Sequence, residues 1–146
     1  MPIRTYAEWV FLYYKRKHTM AKIKLGARPK SFTRVVKFPM LEGGDGTIEC
    51  TFKYRTRSEF GVFIDALVES AGAKPKEDGE KFSMAELMER TAGQNAKYIM
   101  DVLEGWNLDE DLNQANVQQL ADELPGAAAA IMETYRTACV EGRLGN

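Results

Sequence analysis

Asp109, Asp111 and Asn113 stand at alternate positions, the spacing with which an EF-hand loop begins to surround a calcium ion with oxygen ligands. The rest of such a loop is missing. Gln114 occupies the position where the sharp turn needs glycine, and Leu120 the one where a bidentate glutamate closes the site. These residues therefore read as a solvated acidic turn that caps a helix. Glu133 with Glu141, and Asp122 with Glu123, are carboxylate pairs with no nucleophile or basic partner to complete an acid–base site. Ser58 and Ser83 sit at helix starts, and no Gly-x-Ser-x-Gly elbow occurs. The glycines of Leu41-Glu42-Gly43-Gly44-Asp45-Gly46 precede a strand pattern, with no Lys-Ser/Thr after them, so they serve a turn and not a phosphate. Cys50 and Cys139 belong to no metal-ligand or redox spacing and read as reduced thiols of a cytoplasmic protein. The expectation is a non-enzyme with no cofactor and no metal.

The elements around these residues follow from periodicity. Ile48, Cys50, Phe52 and Tyr54 alternate with polar residues, and Phe32, Val36, Phe38 and Met40 supply a matching face. This predicts strands over 32–40 and 47–54 joined as a hairpin. Thr56-Arg57-Ser58-Glu59 has capping-box spacing, and Phe60, Phe63, Ile64, Leu67 and Val68 then recur at helical intervals as far as Gly72. Residues 73–81 are polar, with a proline and a glycine, and read as a mobile loop. Ser83-Met84-Ala85-Glu86 opens a second helix through Leu87 and Met88, which Gly93 interrupts before Tyr98, Ile99, Val102 and Leu103 resume the stripe, with Trp106 at its end. A third helix runs from Asn113 or Gln114 to Leu124. Pro125 starts a fourth that carries Ala128, Ile131, Tyr135 and Cys139. The fold class is α+β: an N-terminal antiparallel β-hairpin followed by a bundle of about four helices.

A chain of 146 residues buries on the order of 70% of its unfolded surface, enough for one core without staples. Its net charge of −1 hides an asymmetry: residues 1–57 carry 13 Lys and Arg against 4 Asp and Glu, net +9, and residues 58–146 carry 7 against 17, net −10. The basic charges mostly alternate with apolar residues along the strands, which is the pattern of a solvated sheet face. Residues 1–19 differ in character. Tyr6, Trp9, Val10, Phe11, Tyr13 and Tyr14 precede Lys15-Arg16-Lys17-His18, an order that fits neither a secretory signal nor a membrane span. Met20 opens the run that follows, and Lys15-Arg16 can be encoded by AAG AGG, a purine-rich ribosome-binding sequence three codons upstream. Translation is therefore expected to start at Met20, leaving 20–146 as a single domain and 1–19 as a doubtful leader; the rival is an amphipathic helix docked on the body.

Gly105-Trp106-Asn107-Leu108-Asp109-Glu110-Asp111-Leu112, then Ala115-Asn116-Val117-Gln118-Gln119-Leu120, then Leu124-Pro125-Gly126-Ala127-Ala128-Ala129-Ala130-Ile131 through Tyr135, put an aromatic in an acidic turn, a short helix, a proline stop and an alanine-rich helix in succession. This order resembles the tail assembly chaperones of long-tailed bacteriophages. The resemblance covers residues 21–146 and is strongest from Tyr98 onward, with Lys53-Tyr54-Arg55-Thr56-Arg57-Ser58-Glu59-Phe60 a weaker second stretch. It implies a protein that binds the long, helical, apolar tape measure protein in the host bacterial cytoplasm, keeps it soluble, helps recruit tail tube subunits, and is absent from the mature virion. It also implies a frameshift-extended isoform: Leu144-Gly145-Asn146 is compatible with the slippery heptamer G GGA AAC. A homo-oligomer is a further partner state, and no membrane is implied. Trp106, Leu108, Leu112 and Tyr135 are the candidate protein-binding residues; tryptophan can serve as an interface anchor, with core between the flanking helices the reading its type favours.

Two rivals remain at this point. A nucleic-acid-binding regulator would set Lys53, Arg55 and Arg57 against phosphates and bind with steep salt dependence; the aromatics Phe52 and Tyr54 lie on the apolar strand face instead of interleaving bases. A tail completion protein would remain in the particle. If translation starts at Met20, the intact mass of the native product matches residues 20–146, and a mass that includes residues 1–19 contradicts it.

Overall fold

Period-two alternation builds the first unit of the fold. β1 (Ser31–Pro39) and β2 (Asp45–Lys53) pair antiparallel, with Val36 opposite Ile48 and Phe32 opposite Phe52. Val36, Phe38, Ile48, Cys50 and Phe52 are buried on one face, while Thr33, Val35, Lys37, Thr47 and Glu49 face outward. The chain reverses at Gly43 and Gly44, whose φ angles of 97° and 73° lie where a side chain is strained. The Met40 N–H donates to the Gly44 carbonyl at 3.0 Å and closes the turn. The computed structural model describes Thr5, residues 23–71 and residues 82–142. The leader 1–19 apart from Thr5, the start at Met20, the loop 73–81 and residues 144–146 of the heptamer lie outside the described residues.

The four helices follow, as expected. α1 (Arg57–Ala71) opens on the Thr56–Glu59 capping box: the Glu59 N–H donates to Thr56 Oγ1 at 3.2 Å and the Thr56 N–H to Glu59 Oε1 at 3.0 Å. These bonds from Thr56 hold the Glu59 carboxyl below its ordinary range, helped by the Arg28 guanidinium. α2 (Met84–Val102) starts at Ser83, whose hydroxyl accepts from the Glu86 N–H, and runs through Gly93 without a break. The expected interruption does not occur, because one glycine costs a helix only about 1 kcal/mol. α3 (Gln114–Glu123) and α4 (Pro125–Arg136) follow, with Pro125 in the first turn of α4 where its missing N–H costs nothing. A π-helical segment, Thr137–Glu141, continues α4 and ends at Gly142 in the left-handed region.

One element differs from expectation. The apolar spacing predicts a helix through Leu103 with Trp106 at its end, yet the chain leaves the helix after Val102, and Leu103–Trp106 forms β3 on the free edge of β2. Cys50 pairs with Trp106 and Phe52 with Leu103, across an irregularity that accommodates one extra residue. The edge of β2 would otherwise leave a row of backbone groups without partners. Asn107 extends the pairing: its N–H donates to the Glu49 carbonyl at 3.1 Å, and its Oδ1 accepts the Glu49 N–H at 2.9 Å.

Tyr135 of α4 lies at the centre of the core with no exposed surface. Phe32, Phe52, Phe60, Phe63 and Tyr98 surround it, with ring centroids 5.4–6.5 Å away. Its hydroxyl donates to the Lys53 carbonyl and accepts from Arg55 Nη1, each at 2.9 Å. Arg55 Nη2 in turn donates to the Asp101 carbonyl at 3.2 Å, and the guanidinium lies 4.3 Å from the Phe63 centroid. One hydroxyl thus ties the end of β2 to α4 and, through Arg55, to α2. Tyr135→Phe leaves the shape intact but strips both partners of their bond, so it should lower the unfolding free energy by about 1–3 kcal/mol in urea titration, with an unchanged far-UV spectrum.

Candidate partner-binding surface

The apolar stripe of α2 runs without a gap from Met84 through Leu87, Met88, Ala92 and Ala96 to Ile99. Its two halves meet different surroundings. Ala92, Ala96, Tyr98, Ile99 and Val102 are buried, whereas Met84 is 57% exposed, Leu87 38% and Met88 51%, with Phe82 just before them at 63%. α2 has 19 residues and spans about 28 Å, while α3, laid alongside it, has 10 and spans about 15 Å. α3 runs beside the amino-terminal half of α2, from Ala115 to Asp122, without closing over the stripe. Large apolar side chains gathered within seven residues and left in contact with water mark an interaction surface, and two of them are methionines, whose flexible thioethers adapt to differently shaped partners.

An open groove of about 630 Å³ runs beside this exposed half, between α2 and α3. Ala85, Met88 and Ala92 line one side, and Ala115 and the half-buried Gln118 the other. The alanines leave room for another helix to approach closely. Glu89, Gln119 and Asp122 complete the rim.

The residues expected from the sequence fall into two places. Trp106 is half-buried on β3, and its indole N–H donates to the Glu110 carbonyl at 2.7 Å. Leu108 and Leu112 are half-buried and rest against the core. Trp106 ends β3, and Leu108 and Leu112 belong to the segment that joins it to α3, where Asn113 Oδ1 accepts the Asn116 N–H at 2.8 Å and caps α3. Tyr135 is enclosed and shares no surface with them. Sequence reasoning passed over Met84, Leu87 and Met88 as a surface, because a stripe that covers a core and one that awaits a partner have the same period. No spacing in the sequence separates the two cases.

The rest of the chemistry is structural. A second concavity, of about 390 Å³, is lined by Phe32, Arg34, Tyr54, Arg55 and Cys139. Burial pushes the Cys50 thiol up to about 12 and raises that of Cys139 as well, so neither is a thiolate nucleophile at neutral pH. Glu133 and Glu141 share Arg136, at 2.5 and 3.5 Å, and the hydrogen bond from Arg136 keeps the Glu133 carboxyl below its ordinary range. Among the described residues no group of three or more His, Cys, Asp or Glu is placed to hold a metal ion, and no helix is long and apolar enough to cross a membrane. Of the basic trio, Lys53 and Arg57 are exposed, but Arg55 is turned inward onto Tyr135. A row of three cations along the hairpin is therefore not available to a phosphate backbone.

A family model described as phage tail assembly chaperone matches residues 20–146. No curated protein matches the chain, and no solved structure does.

If the amino-terminal half of α2 is surface and not core, Leu87→Gln and Met88→Gln should each change unfolding free energy by no more than about 0.5 kcal/mol. Ile99→Ala, on the same stripe, should cost about 2–5 kcal/mol. Urea titration of the three variants measures the contrast.

Proposed function

We propose, because the chain belongs to the phage tail assembly chaperone family, that it binds and solubilises the tape measure protein during tail morphogenesis and helps recruit tail tube subunits around it. The observation that carries this reading is the uncovered apolar half of α2, with Met84, Leu87 and Met88 exposed beside an open groove. A tape measure chain presents apolar helix faces until the tube encloses them, and in that interval it needs a partner with an apolar groove of its own. The chaperone lays its exposed stripe against such a helix and excludes water from both. Trp106, Leu108 and Leu112 offer a second, half-buried patch for the same purpose; Tyr135 acts from inside, by holding α2 and α4 in place. The surplus of acidic residues beyond position 57 keeps the complex dispersed.

The protein acts by binding and not by catalysis. It works in the host bacterial cytoplasm and leaves before the virion is complete. A frameshift-extended isoform would carry the same domain with a further segment attached, giving a pool of short and long products with one shared tape-binding surface. Homo-oligomers would present several such surfaces along one tape measure chain.

Co-expression tests the reading. The tape measure protein should be insoluble alone and soluble with the intact chain. A Met84→Gln/Leu87→Gln/Met88→Gln variant should fold normally yet leave most of the tape measure protein in the pellet. A variant that solubilises it as well as the intact chain does would remove α2 from the mechanism. Purified particles should lack the protein; its presence there would favour a tail completion role.

A further inference from the structure

The groove between α2 and α3 carries a charge pattern as well as an apolar one. Glu89 of α2 lines one wall and Asp122 of α3 the other, and no lysine or arginine lines either. Neither carboxylate forms an ion pair among the described residues. Ion pairs among the described residues form elsewhere, at Glu59 with Arg28, Asp45 with Lys37, and Glu133 and Glu141 with Arg136, and none reaches this groove. Gln118 and Gln119 add hydrogen-bonding groups without charge, and Gln119 is already engaged with Glu123 at 2.9 Å. The groove thus sets the apolar side chains of Ala85, Met88 and Ala92 across from Ala115, with one uncompensated carboxylate on each rim.

We infer that this groove takes an amphipathic helix whose apolar stripe is bordered on both sides by lysine or arginine, an inference that rests on the chaperone reading above and names the kind of tape measure segment it would engage. An incoming helix places residues beside its apolar stripe at i±3 and i±4, and those on the two borders face Glu89 and Asp122. Cations there meet a carboxylate on each wall, whereas acidic borders meet like charge. Because the rim stays wet, the pairs contribute more to partner choice and encounter rate than to total affinity. The Met88 thioether and the small alanines accept varied apolar side chains, so charge at the borders is what separates one helix from another.

The test uses the full chain and two synthetic amphipathic helices with the same leucine and alanine stripe, one bordered by lysine and the other by glutamate, each fluorescently labelled. In anisotropy titrations at low salt, the lysine-bordered helix should bind roughly 3–30-fold more tightly, from two exposed ion pairs, and the gap should shrink as salt screens the rim. Glu89→Lys/Asp122→Lys should reverse the preference. Both positions are exposed, and Glu89→Gln/Asp122→Gln, which should abolish the preference without reversing it, serves if the charge-reversed chain is unstable. Equal binding of the two helices by the unaltered chain overturns the inference, as does a preference that survives in the substituted chain. Failure to bind either helix also overturns it. The chaperone reading falls only if the chain in addition leaves the tape measure protein insoluble on co-expression.

Discussion

The rest of the molecule depends on the hydroxyl of Tyr135. It joins the Lys53 carbonyl, 82 positions away in the chain, to the Arg55 guanidinium, which reaches on to the Asp101 carbonyl. A phenol and a guanidinium taken out of water cost free energy unless every partner is in place, so this arrangement tolerates one relative placement of β2, α2 and α4. The ring supplies the complementary constraint. Five aromatic neighbours from β1, β2, α1 and α2 close around it, and the apolar burial that drives folding is concentrated where the polar network fixes the geometry.

That fixed centre gives α2 its two characters. Its carboxyl-terminal half is anchored by Tyr98, Ile99 and Val102 in the core and by the Asp101 carbonyl in the network. Its amino-terminal half continues the same helix beside α3 and carries the apolar stripe into solvent at Met84, Leu87 and Met88. A helix holds its direction over such a distance without further support, so the exposed methionines are presented on a firm element and not on a loop. Binding there loses less freedom than ordering a flexible segment would cost. Membership of the phage tail assembly chaperone family makes sense of a domain that leaves apolar surface uncovered.

What was legible in the sequence was local. The Thr56–Glu59 box, the Ser83 cap, the glycine reversal at 43–44 and the proline start of α4 each rest on bonds between residues a few positions apart, and each was found where expected. β3 was not legible, since Leu103-Glu104-Gly105-Trp106 has no period of its own and becomes a strand only because β2 offers an open edge. Arg55 looked like one of three basic residues for a phosphate; its inward turn depends on a tyrosine 80 positions later. Tyr135 has the spacing of any aromatic on a helix face, and its burial depends on rings from four other elements. The exposed half of α2 was hidden by its own regularity: the pattern identified an apolar face correctly and said nothing of whether the protein or a partner covers it.

Methionine-methyl NMR tests the central claim most directly, because the described residues place a methionine at each relevant depth. Met84 and Met88 are exposed on α2, while Met40, Met100 and Met132 are half-buried against the core. On adding the tape measure protein to the full chain, the Met84 and Met88 resonances should shift and broaden while the other three stay near their free positions. Shifts confined to Met40, Met100 and Met132, with Met84 and Met88 unmoved, would place the partner elsewhere and contradict the role assigned to α2.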